Sequence, residues 1–359
     1  MSTYTLDRDH REEQEDAAAG ILARARSTVD PVLRAAVDSM PESMARVAGY
    51  HFGWRRADGT ACEADAGKAI RPALVLAAAR ACDPGFPLPG PRAAHPAVAA
   101  AAAVELVHNF TLLHDDVIDR DETRRHRATA WRVFGTTEAI LAGDAMHSLA
   151  LRVLAEDGHR AAGPAMRRLA DCVVELCAGQ QADCAFELRT SVSLAECLAM
   201  AEGKTGALLG AACAIGALYA GADERTARAM DAFGREIGLA FQLIDDLIGI
   251  WGDPQVTGKP AGADLLVRKK SLPVVAALTS GTAAGAELAE LYALDRPLTA
   301  AELVRAAQAV DQAGGRAWAQ GESCERMAAA IEHLAVAVPA PEAAEELLIL
   351  AELVTRRSH

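Results

Sequence analysis

Apolar residues recur every three to four positions along almost the whole chain, the spacing of helices that bury one stripe. This pattern predicts helices at roughly 12–38, 41–50, 67–81, 95–119, 136–156, 163–188, 193–219, 223–250, 268–279, 284–293, 298–335 (with a break near Gly314-Gly315) and 340–356. Prolines and glycines mark loops at 51–67, 82–96, 156–164 and 252–264. Ser193 precedes Glu196, and Thr299 precedes Glu302, in the S/T-x-x-E arrangement that closes a helix N-terminus. No run reads as a strand, and no stretch after residue 67 has the composition of a linker. The expected fold is therefore all-α: a polar, disordered tail over 1–19, then one large antiparallel helical bundle over 20–359.

Composition narrows this picture. The chain has 359 residues, 51% of them apolar, enough for a sizeable core, while aromatic residues make up only 4%. A net charge of −13 argues against nucleic acid and anionic membranes as partners, and means that an anionic substrate needs a local basic cluster. None of the eight cysteines forms a CxxC pair, so buried thiols in a reducing cytoplasm are expected. The apolar stretch 97–113 is interrupted by Glu105, His108 and Asn109, and no transmembrane segment is expected.

Two acidic pairs interrupt the apolar text about 130 residues apart: Asp115-Asp116-Val-Ile-Asp119 and Asp245-Asp246-Leu-Ile-Gly249. Carboxylates flanked by Leu, Ile and Val are at least partly buried, and burying an uncompensated one costs several kcal/mol. At about 100° per residue, Asp115 and Asp119 lie on one helical face and can share metal ions, while Asp116 points away in a supporting role. Hard divalent cations such as Mg²⁺, which bind carboxylates together with substrate phosphates, suit such sites. A rival pattern, Glu105-x-x-His108, has the spacing of di-iron helices, but its second copy, Glu156-x-x-His159, contains Gly158 and falls in a loop.

Basic residues gather near these acids: Lys68 and Arg71, Arg124-Arg125, Lys204 beside Thr205, Lys259, and Arg268-Lys269-Lys270. Each alone would be an ordinary surface charge. Together with two metal-type clusters they describe a site for one or two diphosphates, with cations on one side and Lys/Arg on the other. No P-loop is present.

At this point the chain resembles the trans-polyprenyl diphosphate synthases, from about Gly67 to Pro273 in motif order. Ala66-Gly67-Lys68-Ala69-Ile70-Arg71-Pro72 resembles the family's GGKRxRP, with Ala69 replacing a common Arg. His108, Asp115-Asp116-Val-Ile-Asp119, the pair Arg124-Arg125, Gly179-Gln180-Gln181-Ala182-Asp183, Lys204-Thr205, Phe241-Gln242 with Asp245-Asp246, and Lys259, Asp264 and Lys269 follow in order. Two departures stand out: His126 in place of the usual Gly, and Gly249 where the second motif normally ends in Asp.

The resemblance implies an isoprenoid-synthase bundle with a central active-site cavity, and a homodimer. It implies two or three Mg²⁺ ions held by Asp115, Asp119 and Asp245, with Asp116, Asp246 and Asp183 in support. Lys204, Lys259, Lys269 and Arg124 would stabilise the departing allylic diphosphate, and Thr205 and Gln242 the carbocation. Lys68, Arg71, His108 and Arg125 would hold isopentenyl diphosphate. Phe110, Thr111 and Val107, upstream of Asp115, would set product length. One aromatic before an uninserted motif resembles geranylgeranyl synthases, with farnesyl synthase second; if the floor lies elsewhere, Phe110 is ordinary core. A class I terpene cyclase and a non-catalytic partner subunit stay open as well.

Overall fold

The computed structural model describes residues 3–64, 67–88, 95–253, 261–338 and 340–355, with side chains from residue 14 onward. Ala66 and Lys259 lie outside the described residues. Helices α1 (Thr3–Asp38), α2 (Glu42–His51), α3 (Ile70–Cys82), α4 (Val98–Ile118), α5 (Ala130–Phe134), α6 (Thr136–Glu156), α7 (Ala162–Glu187), α8 (Leu194–Ala201), α9 (Ala207–Tyr219) and α10 (Glu224–Trp251) are followed by shorter and longer helices to Thr355. The fold is all-α. α1 starts at Thr3 rather than near residue 12. Both S/T-x-x-E boxes form reciprocally, Ser193 with Glu196 and Thr299 with Glu302.

Two local features depart from the periodicity. Thr123–Arg124 pairs antiparallel with Arg127–Ala128, a ribbon whose two-residue strands are too short to show alternation in sequence. The predicted helix 193–219 contains a π turn at Glu202–Gly206, where the Ala207 N–H reaches the Glu202 carbonyl. π turns inside α-helices occur frequently at functional sites.

The chain divides into two compact units: Met1–Val173 with Ala211–Asp231 and Ala335–Leu350, and Val174–Gly210 with Ala232–Leu334 and Ala351–His359. In the first, α4 packs on α6, α3 and α1. Ala100 to Val104 are fully buried, as are Leu74, Val75, Leu106, Val107 and Leu113. Helices this apolar all round are core helices. In the second, Leu239, Leu243, Ile244 and Leu247 of α10 pack with Phe186, Cys197, Met200, Leu272 and Val275. By length and composition the run Leu194–Tyr219 is apolar enough to cross a membrane, but 72% of its most apolar window is buried within the fold, as in a core helix.

Candidate active site

The first acidic motif closes α4. Asp115 and Asp116 sit in its last turn and Asp119 caps it, its N–H bonded to the Asp115 carbonyl at 2.8 Å. A helix C-terminus already carries partial negative charge, and no basic residue lies in this last turn. Three carboxylates placed there favour a cation.

The three are not equivalent. Asp116 is 2% exposed and turns to Arg124, whose Nε and Nη2 approach Oδ1 at 2.8 and 2.7 Å. Burial raises the Asp116 carboxyl above its ordinary range against the pull of Arg124. Asp115 is half-buried and Asp119 exposed, and i,i+4 spacing puts both on one face.

Arg124 is aimed by the ribbon. Arg125 (φ 50°) and His126 (φ 58°) form its two-residue turn, both left-handed. That conformation normally calls for Gly or Asn, and a non-Gly residue there costs of order 1–3 kcal/mol unless its surroundings favour it. His126→Gly is expected to stabilise the protein by about 0.5–1 kcal/mol, the relief being partly offset by the greater freedom of Gly in the unfolded chain. A rise in the urea unfolding midpoint checks this.

The same ribbon brings Arg125 against Gly67 (φ 90°), where a β-carbon would fall 2.8 Å from the guanidinium carbon. The sequence-predicted Gly67-Lys68 segment and Arg125 are thereby joined. Arg71 Nη1 donates to His108 Nε2 at 3.1 Å. Burial, with the charges of Arg71, Arg125 and Arg124, keeps His108 neutral, well below the ordinary imidazole range. Because Arg71 can only donate, Nε2 accepts and the proton of neutral His108 resides on Nδ1. This engagement with Arg71, together with the Glu105 side chain accepting from Asn109 at 2.9 Å, sets aside the di-iron reading of Glu105-x-x-His108. Lys68 is exposed.

Sequence reasoning missed His51 and Arg127. A small cavity is lined by Tyr50, His51, Asp116, Arg124, Arg125 and Arg127. Burial and the neighbouring Arg125 and Arg124 lower His51 to about 3. Arg127 donates to the Tyr50 carbonyl at 3.0 Å and covers the Tyr50 ring at 4.2 Å. A lone His at the end of an ordinary helix carries no signal of its own.

Phe110 is 6% exposed and lies between two imidazoles, His114 at 5.6 Å and His147 of α6 at 5.1 Å between ring centroids. Thr111 donates to the His108 carbonyl at 2.8 Å, and Val107 is fully buried.

In the second unit, α7 and the π turn touch through backbone. A β-carbon on Gly179 would lie 2.5 Å from the Lys204 nitrogen and 2.9 Å from the Gly203 carbonyl carbon. This approach lets Asp183, one turn on, accept from Lys204 Nζ at 2.6 Å. Gly206 and Gly210 meet Gly238 and Gly234 of α10 in the same manner, with β-carbon-to-Cα distances of 2.6 Å.

These contacts seat Thr205 beside α10. Its hydroxyl donates to Gln242 Oε1 at 2.7 Å, and Gln242 Nε2 donates to Asp246 Oδ1 at 2.9 Å. Asp246, 3% exposed, also accepts from the Leu272 N–H at 2.9 Å and faces Lys269 at 3.9 Å. Burial raises Asp246 to about 6 although Lys269 opposes the shift. Burial would lower Lys269, but Asp246, Asp264, Asp183 and Asp245 outweigh it and hold the ammonium charged. Asp245 is exposed. Of the basic run, Lys269 alone joins this acidic cluster: Lys270 donates to the Phe186 carbonyl at 2.8 Å, and Arg268 to the Arg296 carbonyl.

No group of three or more His, Cys, Asp or Glu side chains forms a ready-made metal cage among the described residues. The donor set nevertheless fits magnesium, which typically binds through one or two carboxylates and completes its shell with water and substrate phosphates. Asp115 and Asp119 offer such a pair of hard oxygen donors, and Asp245 a further one.

Comparison with known proteins identifies the family of the chain. The polyprenyl synthetase family model matches residues 60–310. A geranylgeranyl diphosphate synthase of Mycobacterium tuberculosis is 49% identical over 345 residues, covering 95% of each chain. A (2E,6E)-farnesyl diphosphate synthase of the same species is 45% identical over 331 residues, covering 90% of this chain and 89% of that protein. The crystal structure of a polyprenyl synthetase from Streptomyces coelicolor A3(2) superposes with a TM-score of 0.87 at 45% identity, covering 93% of this chain and 98% of the other.

Proposed function

We infer that this chain, which belongs to the polyprenyl synthetase family, condenses isopentenyl diphosphate with an allylic diphosphate to give geranylgeranyl diphosphate. It is a prenyltransferase of the short-chain kind. The observation carrying the reading is that the motif residues form two polar networks, Arg71 hydrogen-bonded to His108 near the ribbon arginines, and Thr205–Gln242–Asp246–Lys269 with Lys204–Asp183. Both suit diphosphates.

We assign the roles as follows. Magnesium held by Asp115, Asp119 and Asp245 would neutralise charge developing on the leaving diphosphate. Lys204, Lys269, Lys259 and Arg124 bind the allylic diphosphate, with Asp183 and Asp246 fixing the first two ammoniums. Lys68, Arg71 and Arg125 bind isopentenyl diphosphate, and His108 donates to it through Nδ1–H. Thr205 gives its proton to Gln242, so its lone pairs are left to face the developing cation. Asp116 orients Arg124. Cytoplasmic location and homodimerisation belong to the same reading, supported by the family resemblance and by the free thiols, of which Cys172, Cys197 and Cys213 are buried while Cys177 and Cys324, against expectation, are exposed.

The test is incubation with isopentenyl diphosphate, Mg²⁺ and dimethylallyl, geranyl or farnesyl diphosphate. A twenty-carbon product is expected, a fifteen-carbon one would favour farnesyl synthase, and condensation with none would sink the reading. Hydrocarbon from geranylgeranyl diphosphate alone would indicate a cyclase.

Phe110→Ala tests the floor. Truncating a buried Phe costs about 3–5 kcal/mol where the site is sealed, and less where it opens on a channel. Longer products are expected, since one helical turn of about 5.4 Å spans roughly one isoprene unit. Chromatography showing unchanged length would return Phe110 to the ordinary core.

A further inference from the structure

We infer that Tyr50 is the positioning residue for the arginine ribbon, holding Arg125 and Arg124 toward the two diphosphates; this rests on the diphosphate-site reading above. In the ribbon, Arg124 pairs directly with Arg127 and Thr123 with Ala128, so whatever fixes the second strand fixes the strand that bears Arg124. The turn between them is Arg125 and His126, both left-handed without glycine. Such a conformation persists only where its surroundings over-determine it. The base of the ribbon is tied just beyond the first acidic motif: Thr129 Oγ1 and Trp131 Nε1 both donate to the Asp121 carbonyl at 2.8 Å. Those bonds grip one end only, and the turn would swing about them unless the strands are held nearer to it.

Tyr50, 8% exposed in the last turn of α2, supplies that hold through three separate contacts. Its hydroxyl donates to the Ala128 carbonyl at 2.8 Å. Its own carbonyl accepts from Arg127 Nη1 at 3.0 Å, and the same guanidinium covers its ring at 4.2 Å. The ring in turn meets Phe134 of α5 edge-on at 5.3 Å. Both residues of the second strand are thus tied to one buried tyrosine. Arg124 has a second anchor in Asp116. Arg125 sits in the turn itself, so its aim follows the ribbon as a whole. Loosening Tyr50 is therefore felt most at the isopentenyl diphosphate that Arg125 binds.

The experiment is steady-state kinetics of the full chain with Mg²⁺, isopentenyl diphosphate and the allylic diphosphate that the parent accepts. Tyr50→Phe removes one oxygen atom, keeps the ring and the backbone carbonyl, and changes no charge. It is expected to raise KM for isopentenyl diphosphate about 3- to 10-fold, the scale of one net hydrogen bond, and KM for the allylic substrate by less. Arg127→Lys keeps the charge but lacks the planar fork that stacks and bonds at once, and should raise the same KM. A purely structural tyrosine behaves differently: a smaller folded fraction lowers apparent kcat and leaves KM where it was. Parental KM for isopentenyl diphosphate in folded Tyr50→Phe, or a larger rise for the allylic substrate, overturns the inference. Circular dichroism reports folding, and if Tyr50→Phe does not fold, Arg127→Lys decides by the same criterion. A parent that condenses no allylic diphosphate overturns the functional reading itself, and this inference with it.

Discussion

Asp115→Asn is expected to cut incorporation of isopentenyl diphosphate into product by about 10²- to 10³-fold, the scale set by removing one preorganised electrostatic group from a reacting centre. Asp116 is committed to Arg124, so the load of holding a cation at the end of α4 falls on Asp115 and Asp119. Asparagine keeps the shape and removes the charge. Stability should stay the same or rise by about 0.3–1 kcal/mol, because a negative charge at a helix C-terminus is unfavourable. Activity and stability thus move oppositely, which distinguishes loss of a functional charge from damage to the fold. Radiolabel incorporation beside thermal unfolding makes the measurement. A variant as active as the parent would remove the first aspartate motif from the metal site.

Gly238→Ala is the second large effect. Its β-carbon would meet Gly206 Cα at 2.6 Å, a backbone atom that cannot rotate aside. The expected stability loss is about 1–3 kcal/mol from overpacking. Displacing the π turn from α10 also strains the Thr205–Gln242 hydrogen bond, and misplacement by about 1 Å can cost about 10²-fold in rate. Gly321→Ala is the control: nothing lies within 4 Å of its β-carbon, so about 0.5–1 kcal/mol of stabilisation is expected. Chemical denaturation and turnover of both variants decide the matter, and a Gly238→Ala enzyme with parental rate would show that the helices tolerate separation.

Much of this fold is legible in the sequence. Helices follow from apolar periodicity, and the caps at Ser193 and Thr299 from a local hydrogen-bond rule that needs no tertiary context. The charged motif residues stand out because burial of Asp116 and Asp246 demands compensation, and compensation leaves basic residues nearby. Other features have no such signal. Two-residue strands show no alternation. A π turn inserts one residue into a helix without changing which residues are apolar. His51 matters only because the ribbon brings Arg124 and Arg125 to it. That a β-carbon at Gly249 would meet the Asp264 carboxyl group is likewise invisible in a one-dimensional pattern.

The glycine contacts between the π turn and α10 have an evolutionary consequence. Where helices touch backbone to backbone, a single substitution on either side has no gradual path, because even one carbon atom is too many. Around Phe110 the neighbours are rings, His114 and His147, which can shrink or grow one at a time. The contacts of the π turn therefore cannot drift one atom at a time, while those around Phe110, the proposed floor for the product, can. On the proposed assignment, product length can change by single substitutions around Phe110 while the backbone contacts behind Thr205 stay as they are.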